Sequence, residues 1–254
     1  MWSNHFNQLN LCPLFKYVIM IKVSLPDGSS RDYESGSSAM DVAKSISHGL
    51  ARNVLSASYN GKTVEPTEPL TTDGDLILFT WDNAEGKEAF WHSSAHVLAQ
   101  TILQFHPDAK LTIGPAIENG FYYDVGFGDA NISEKEFALI EKKFIENARQ
   151  KYEFNMRMVS KADALAYYKN NPFKTELIEN LEDGTISFCD HADFTDLCRG
   201  GHIPNTGVIK AMKVMSVAGA YWRGNSDNKM LQRIYGIAFQ DKQSLKDYLH
   251  MMEE

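Results

Sequence analysis

The sequence predicts an α+β protein in two units, a small mixed sheet gripping one helix and a larger α+β unit behind it. Three observations carry that prediction. Apolar residues alternate with period two at the start and recur with helical period further on. Two helix-capping boxes, Ser38–Asp41 and Ser133–Glu136, mark helix starts in each half. The length, 254 residues, suggests about two domains at roughly 150 residues each. Hydrophobic residues at 43% and charged residues at 23% are ordinary for a soluble globular chain and exclude disordered, collagen-like and coiled-coil architectures. A formal net charge of −8 argues against a general nucleic-acid coat, though not against one local basic face. Three cysteines (Cys12, Cys189 and Cys198) at unrelated spacings argue against a disulfide framework and for a reducing compartment.

Residues 1–19 have no clear period and read as a disordered leader or an upstream extension. The apolar stretch 9–21 is broken by Asn10, Pro13 and Lys16, too short to span a bilayer and without the features of a secretory signal. A cytoplasmic location is therefore expected. Ile19, Ile21, Val23 and Leu25 alternate as in a half-buried strand, Pro26-Asp27-Gly28 turns the chain, and residues 30–34 pair back. Behind Ser38, Ala39, Val42, Ala43 and Ile46 form a helical stripe. Residues 54–59 and 76–80 read as strands, with Asn60-Gly61 as a hairpin turn. This ββαββ pattern bounds a first unit at 20–82, near the lower size limit for a self-sufficient core. The polar stretch 82–88, containing Gly86, reads as a linker.

A second unit is expected over 83–240. Its first helix runs 88–105 and stops before Pro107. Residues 111–128 have a β/turn texture, and the Ser133 box opens a helix with Phe137, Ile140, Phe144 and Ile145 on its apolar face. A helix at 161–169 and several short strands over 186–239 follow. Residues 241–254 close the chain with an amphipathic helix bearing Leu245, Tyr248, Leu249 and Met252.

His92 and His96 stand one helical turn apart, beside a stripe of Ala95, Leu98, Ala99, Ile102 and Leu103, so they point to the interior or a cleft. Cys198 and His202 repeat the spacing around Gly200-Gly201, with Asp196 and Arg199 beside them. Three histidines and a cysteine make a tetrahedral zinc set, or a metal-free cluster that positions and deprotonates water. Each pair alone is unremarkable: histidines recur by chance, a lone cysteine is a small hydrophobe, and His202 would serve to cap a turn. Their convergence carries the argument. Residues 207–233 hold Lys210, Lys213, Arg223, Lys229 and Arg233 against the single Asp227, around Tyr221-Trp222. That composition suits an unpaired base with its phosphates, or a solvated strand face around one core tryptophan. Lys142, Lys143, Arg149, Lys151 and Arg157 are interleaved with glutamates in part and read as an ordinary exposed helix.

From His92 to His96, from Ile113 to Asp124, from Asp196 to His202, from Gly219 to Gly224 and from Asn228 to Gly236, the sequence resembles the threonyl-tRNA synthetase family. The resemblance runs from about Met20 to the C-terminus. It implies a small ubiquitin-like β-grasp domain (the TGS domain) followed by a larger α+β editing domain of the threonyl/alanyl-tRNA synthetase type. Gly201 stands where many relatives have proline, which leaves the cysteine and histidine in place. The family's catalytic core and anticodon-binding domain are expected to begin about where this chain ends. ATP, magnesium and the catalytic zinc would belong to that core, and this fragment would not aminoacylate.

What the resemblance implies is hydrolysis of mischarged seryl-tRNA(Thr), while the full-length enzyme ligates threonine to tRNA(Thr) with ATP. Serine lacks one methyl of threonine, and a synthetic pocket gains only ~1–3 kcal/mol from a methyl, so a second, smaller site is needed. His92, His96, Lys174, Asp196, Cys198 and His202 are its implied catalytic residues, meeting around one hollow sized for a seryl group. His92 and Lys174 would serve the water and the ester, and Asp196 the substrate's ammonium. Tyr123, Lys210, Lys213, Tyr221, Trp222, Arg223 and Arg233 are the implied substrate and tRNA contacts. No cofactor is required in this fragment by that reading, although His92, His96, Cys198 and His202 would be zinc ligands if zinc is bound, as in related alanyl editing proteins. No membrane partner is expected; the fragment is expected to be monomeric and the full-length protein a homodimer. The alternatives are a non-catalytic tRNA-binding or regulatory module and a zinc-dependent hydrolase of small esters.

Overall fold

A computed structural model describes residues 18–253, so the expected leader lies, through residue 17, outside the described residues, as does Cys12. β1 (Met20–Ser24) and β2 (Ser30–Glu34) form an antiparallel hairpin, followed by α1 (Ala39–Ile46), α2 (His48–Asn53), β3 (Ser56–Tyr59), β4 (Lys62–Val64) and β5 (Gly74–Phe79). The strand order is β2-β1-β5-β3-β4, with β1 and β5 parallel at the centre. This is the β-grasp arrangement. Its helix starts as expected: Ser38 Oγ accepts from the Asp41 N–H while the Asp41 carboxylate accepts from the Ser38 N–H. Ala39 and Val42 then pack with Ile21, Val23, Ala57 and Leu76 in a small core. Positive φ at Asn60 (51°) and Gly61 (74°) gives the tight β3–β4 turn. The short α2, capped by Ser47, has no fully buried residue and left no apolar stripe to read.

The larger unit contains α3 (Ala84–Phe105), β6 (Lys110–Leu111), β7 (Ala116–Ile117), β8 (Gly120–Gly126), α4 (Glu134–Ala148), β9 (Asn155–Met158), α5 (Lys161–Tyr167), α6 (Pro172–Glu179), β10 (Ser187–His191), β11 (Phe194–Leu197), β12 (Ala211–Tyr221), β13 (Met230–Phe239) and α7 (Lys242–Glu253). One sheet runs β12-β13-β8-β6 with β7 against β8, and a second runs β11-β10-β9. The long helix α3 packs against β8, β13 and α4. Ala95, Leu98, Ala99 and Ile102 are fully buried, so the apolar stripe beside the histidines faces the core.

Three expectations are corrected. The helix begins at Ala84, not four residues later, and Gly86 lies inside it, not in a linker. A Cβ at Gly86 would sit 2.0 Å from the Thr80 carbonyl oxygen, so the glycine permits the helix start to press on the end of β5. Among the strands expected over 186–239, β10 and β11 are short, but β12 and β13 form a long hairpin of 11 and 10 residues. Finally, α6 stands where no helix was anticipated. Asn171 caps it by accepting from the Phe173 and Lys174 N–H groups, and Pro172 occupies the first turn, where its missing N–H costs nothing.

Candidate active site

Helix α3 supplies His92 and His96; the loop after β11 supplies Cys198 and His202. A single hydroxyl ties them together: Ser93 Oγ donates to the Ala89 carbonyl and accepts from the Ile203 N–H, at 2.7 and 3.0 Å. The two pairs consequently face each other. His92 Nε2 lies 3.1 Å from Cys198 Sγ and 3.4 Å from His96 Nε2, and His202 Nε2 lies 3.4 Å from the same sulfur. The Gly200 N–H also donates to Cys198 Sγ at 3.3 Å. The His92 and His202 rings stack at 4.9 Å, and Phe154 covers the other side of His202 at 4.8 Å. Cys198, His96 and His202 are buried, whereas His92 is partly open to solvent.

Beside this cluster lies a buried charge pair. Helix α6 carries Lys174, only 2% exposed, and places Nζ 2.5 Å from Asp196 Oδ1. Asp196 Oδ1 also accepts from the Leu197 N–H at 2.8 Å. Its Oδ2 accepts from the Tyr123 hydroxyl at 2.6 Å and faces His96 Nδ1 at 3.4 Å, a charge contact without hydrogen-bond alignment. Of the about four lone-pair directions of a carboxylate, three are engaged by protein donors.

The electrostatics sort the histidines. Burial pushes the Cys198 thiol up, but the positive field of His96 and hydrogen bonds with His202 and His92 outweigh it and hold the group well below its ordinary range. Burial also opposes charging of His202 and His96. Contacts of His202 with Cys189, Cys198 and Glu65 nevertheless raise it well above ordinary imidazole, and Cys198 and Asp196 raise His96. His92 goes the other way: burial wins and its pKa falls, leaving a neutral ring at pH 7. Burial penalises the Asp196 charge, but Lys174 and His96 overcome that and hold the carboxyl well below its ordinary range. Burial and the adjacent Asp196 charge push Tyr123 well up, which keeps its hydroxyl a donor.

The four donor atoms lie within 4.8 Å of one another. The one nitrogen–nitrogen contact, 3.4 Å, is close to the ~3.3–3.4 Å edge of a tetrahedron built on zinc–nitrogen bonds of ~2.0–2.1 Å. The contacts to sulfur at 3.1 and 3.4 Å are somewhat tighter than a zinc–sulfur bond of ~2.3 Å would set. His96 and His202 each turn Nδ1 towards a carboxylate, as metal-bound imidazoles do. The donor set fits a zinc ion, and it fits a thiolate–imidazole cluster equally well. One expectation changes: neighbouring donors stand 3.1 to 3.4 Å apart and all lie within 4.8 Å, too close to enclose a seryl group among themselves. A cavity of about 300 Å³ is instead lined by Glu65, Gly200 and Gly201 with Thr63, Met156 and Ser187.

Of the expected substrate and tRNA contacts, only Tyr123 joins this centre. Lys210, Lys213, Tyr221, Trp222, Arg223 and Arg233 lie along the β12–β13 hairpin and its approach. Lys210 Nζ donates to the Gly207 carbonyl, Lys213 pairs with Glu141 at 3.1 Å, and Arg223 pairs with Glu176 at 2.8 Å. Arg233 grips Asp124 with two bonds of 2.7 and 2.8 Å and stacks on Tyr122. Trp222 is buried against Phe173 and Leu231, and its indole donates to Glu176 at 2.8 Å. Tyr221 is exposed. The hairpin tip thus rests on α6, the helix that carries Lys174.

Four participants escaped the sequence reading: Ser93, Glu65, Cys189 and His191. Cys189 and His191 are spaced two apart on β10, the strand spacing that puts side chains on one face. Cys189 Sγ lies 3.8 Å from His202 Nδ1, and burial pushes this thiol up to about 11. His191 is 1% exposed among Phe154, Phe194 and His96, with neither ring nitrogen hydrogen-bonded.

Comparison with known families agrees with this architecture. The TGS domain model matches residues 21–80, and the model for the threonyl and alanyl tRNA synthetase second additional domain matches residues 186–235. The threonine–tRNA ligase of Flavobacterium johnsoniae is 63% identical over 235 residues, 92% of this chain and 36% of that protein. Those of Flavobacterium psychrophilum and Cytophaga hutchinsonii are 61% and 54% identical over 92% of this chain. The chain thus spans about a third of the length of the curated relatives it matches. With both domain models in order and such identity along most of its length, the chain belongs to the threonyl-tRNA synthetase family.

Proposed function

We propose that this chain is an editing hydrolase that cleaves the ester between serine and the terminal adenosine of mischarged seryl-tRNA(Thr). The observation that carries the reading is the convergence of two buried pairs on one partly open, neutral imidazole, His92. His92 takes a proton from water as the oxygen attacks the ester carbonyl carbon. Negative charge gathers on the carbonyl oxygen, and the cations of this centre, His96, His202 and Lys174, supply the opposing field. The C–O bond to the ribose then breaks, and the ribose oxygen leaves with a proton returned from the His92 imidazolium. The products are free serine and tRNA. Cys198 shapes and charges the cluster, since attack by water needs no acyl-enzyme.

Asp196 has a different part from the ammonium site expected of it. Three protein donors already occupy it, so its role is to hold Lys174 and Tyr123 in register and to face His96 with a negative charge. If zinc is loaded, His92, His96, Cys198 and His202 would hold it. Four protein ligands close the coordination shell, so the ion would supply structural charge in place of an open catalytic position.

The division into a TGS unit at 20–82, an editing unit at 83–240 and a terminal helix at 241–254 belongs to the same reading. So do tRNA(Thr) as partner, a monomeric fragment, a cytoplasmic location, and threonine–tRNA ligation with ATP by a full-length homodimer. Among the described residues no helix is long and apolar enough to cross a membrane. The test is deacylation of seryl-tRNA(Thr) against threonyl-tRNA(Thr), with and without chelator. Release of serine in preference to threonine is expected. Salt-sensitive tRNA binding without turnover would leave a binding module, and chelator-sensitive cleavage of small esters without tRNA would leave a zinc hydrolase.

A further inference from the structure

Glu65 belongs to the β-grasp unit, just after β4, yet its side chain ends inside the histidine–cysteine centre. Its Oε1 accepts from the Gly201 N–H at 2.9 Å and its Oε2 from the His202 N–H at 3.1 Å. Oε1 also lies 3.0 Å from His202 Nδ1. The receiving loop is shaped for this: Gly200 and Gly201 both have left-handed φ, 93° and 88°. Successive amides turned inward by such a conformation form a concave anion seat. The glutamate is held from its own side as well. The Glu68 N–H donates to the Glu65 carbonyl, and the Met40 N–H at the start of α1 donates to the Pro66 carbonyl. Glu65 is 8% exposed, so three donors replace the water this carboxylate gives up.

We propose that Glu65 is a positioning residue of the hydrolytic centre, which makes the β-grasp unit a working part of that centre. The proposal rests on the hydrolytic reading above and adds to it a group from outside the editing unit. A carboxylate accepts and does not donate. The hydrogen between Glu65 and His202 therefore resides on Nδ1, which fixes the ring with Nε2 towards Cys198 Sγ at 3.4 Å. Asp196 Oδ2 faces His96 Nδ1 at 3.4 Å without hydrogen-bond alignment. Glu65 is thus the carboxylate that fixes an imidazole of this cluster by a hydrogen bond, and it comes from the other unit.

Glu65→Gln separates positioning from bulk. The amide keeps the size but only one acceptor oxygen, which cannot serve Nδ1 and the His202 N–H together, so the three-donor seat that sets the ring is broken. Single-turnover deacylation of seryl-tRNA(Thr) should slow by about 10- to 100-fold in Glu65→Gln. The enzyme concentration giving half-maximal rate should stay unchanged. Thr67→Ala, an exposed neighbour in the same loop, should match wild type. Side-chain ¹⁵N spectra of the substrate-free chain should show a protonated His202 Nδ1 in wild type and a shifted His202 ring signal in Glu65→Gln. Glu65→Gln with wild-type rate and an unaltered His202 spectrum overturns the proposal. A wild-type chain that releases no serine overturns the hydrolytic reading instead, and the ring spectrum still reads the positioning contact.

Discussion

Two regions rich in chemistry-bearing residues behave in opposite ways. In the histidine–cysteine centre, side chains from α3 and from a loop about a hundred positions later come within hydrogen-bond reach and share each other's charge. Along the β12–β13 hairpin, Lys213, Arg223 and Arg233 each find a separate acid, Glu141, Glu176 and Asp124. The first region concentrates charge where water is scarce; the second spreads and neutralises it. Spacing marked the residues that the fold brings together, whereas local charge did not, because the acids that neutralise a basic stretch come from elsewhere in the chain.

The largest expected effect would break this contrast at the centre. His92→Ala should lower seryl-tRNA deacylation by about 10²- to 10⁴-fold, and wild-type rates in both His92→Ala and Lys174→Ala would remove these residues from the mechanism. Lys174→Met leaves Asp196 charged and buried without its cation. Urea unfolding should then show a loss of about 3–5 kcal/mol, as for breaking other buried pairs.

A pH dependence sharpens the picture. Burial, followed by the positive field of His96 and His202, pushes His191 down to about 3. The unfolded chain takes up that proton near pH 6.5 and the folded chain does not. Stability from this group is therefore complete above about pH 6.5 and falls by about 1.4 kcal/mol per pH unit down to about pH 3. His191→Phe should flatten that slope in denaturant midpoints recorded across the window. The smallest effect belongs to the hairpin: Lys210→Ala with Lys229→Ala should weaken tRNA binding a few-fold. It should reduce the salt slope by about 1 for each phosphate no longer neutralised and leave the saturated deacylation rate unchanged. A saturated rate that collapses in the double variant would erase the distinction between the regions.

What could be read from sequence was what is local. The Ser38 and Ser133 capping boxes, the Asn60-Gly61 turn and the i, i+4 histidines each depend on residues within one turn of each other, and all stand where expected. Helix α6 was hidden because its eight residues carry no clear stripe, only the Asn171-Pro172 start. Gly86 read as a linker because its reason for being glycine, the Thr80 carbonyl, lies outside its helix. Glu65 was invisible for the same cause on a larger scale: its partners are 136 and 137 positions away. The donor cluster was legible by type and spacing, whereas how closely the donors pack depends on residues about a hundred positions apart.

The hydroxyl of Ser93 carries a last consequence. It sits between the helical histidines and clasps the backbone that delivers His202, so the two halves of the centre have a common frame of reference. One residue added to the helix there would swing its later side chains through ~100° and tear that frame apart. Side chains of this centre can therefore be exchanged one at a time, whereas the count of residues between His92 and His96 is fixed by the helix that carries them.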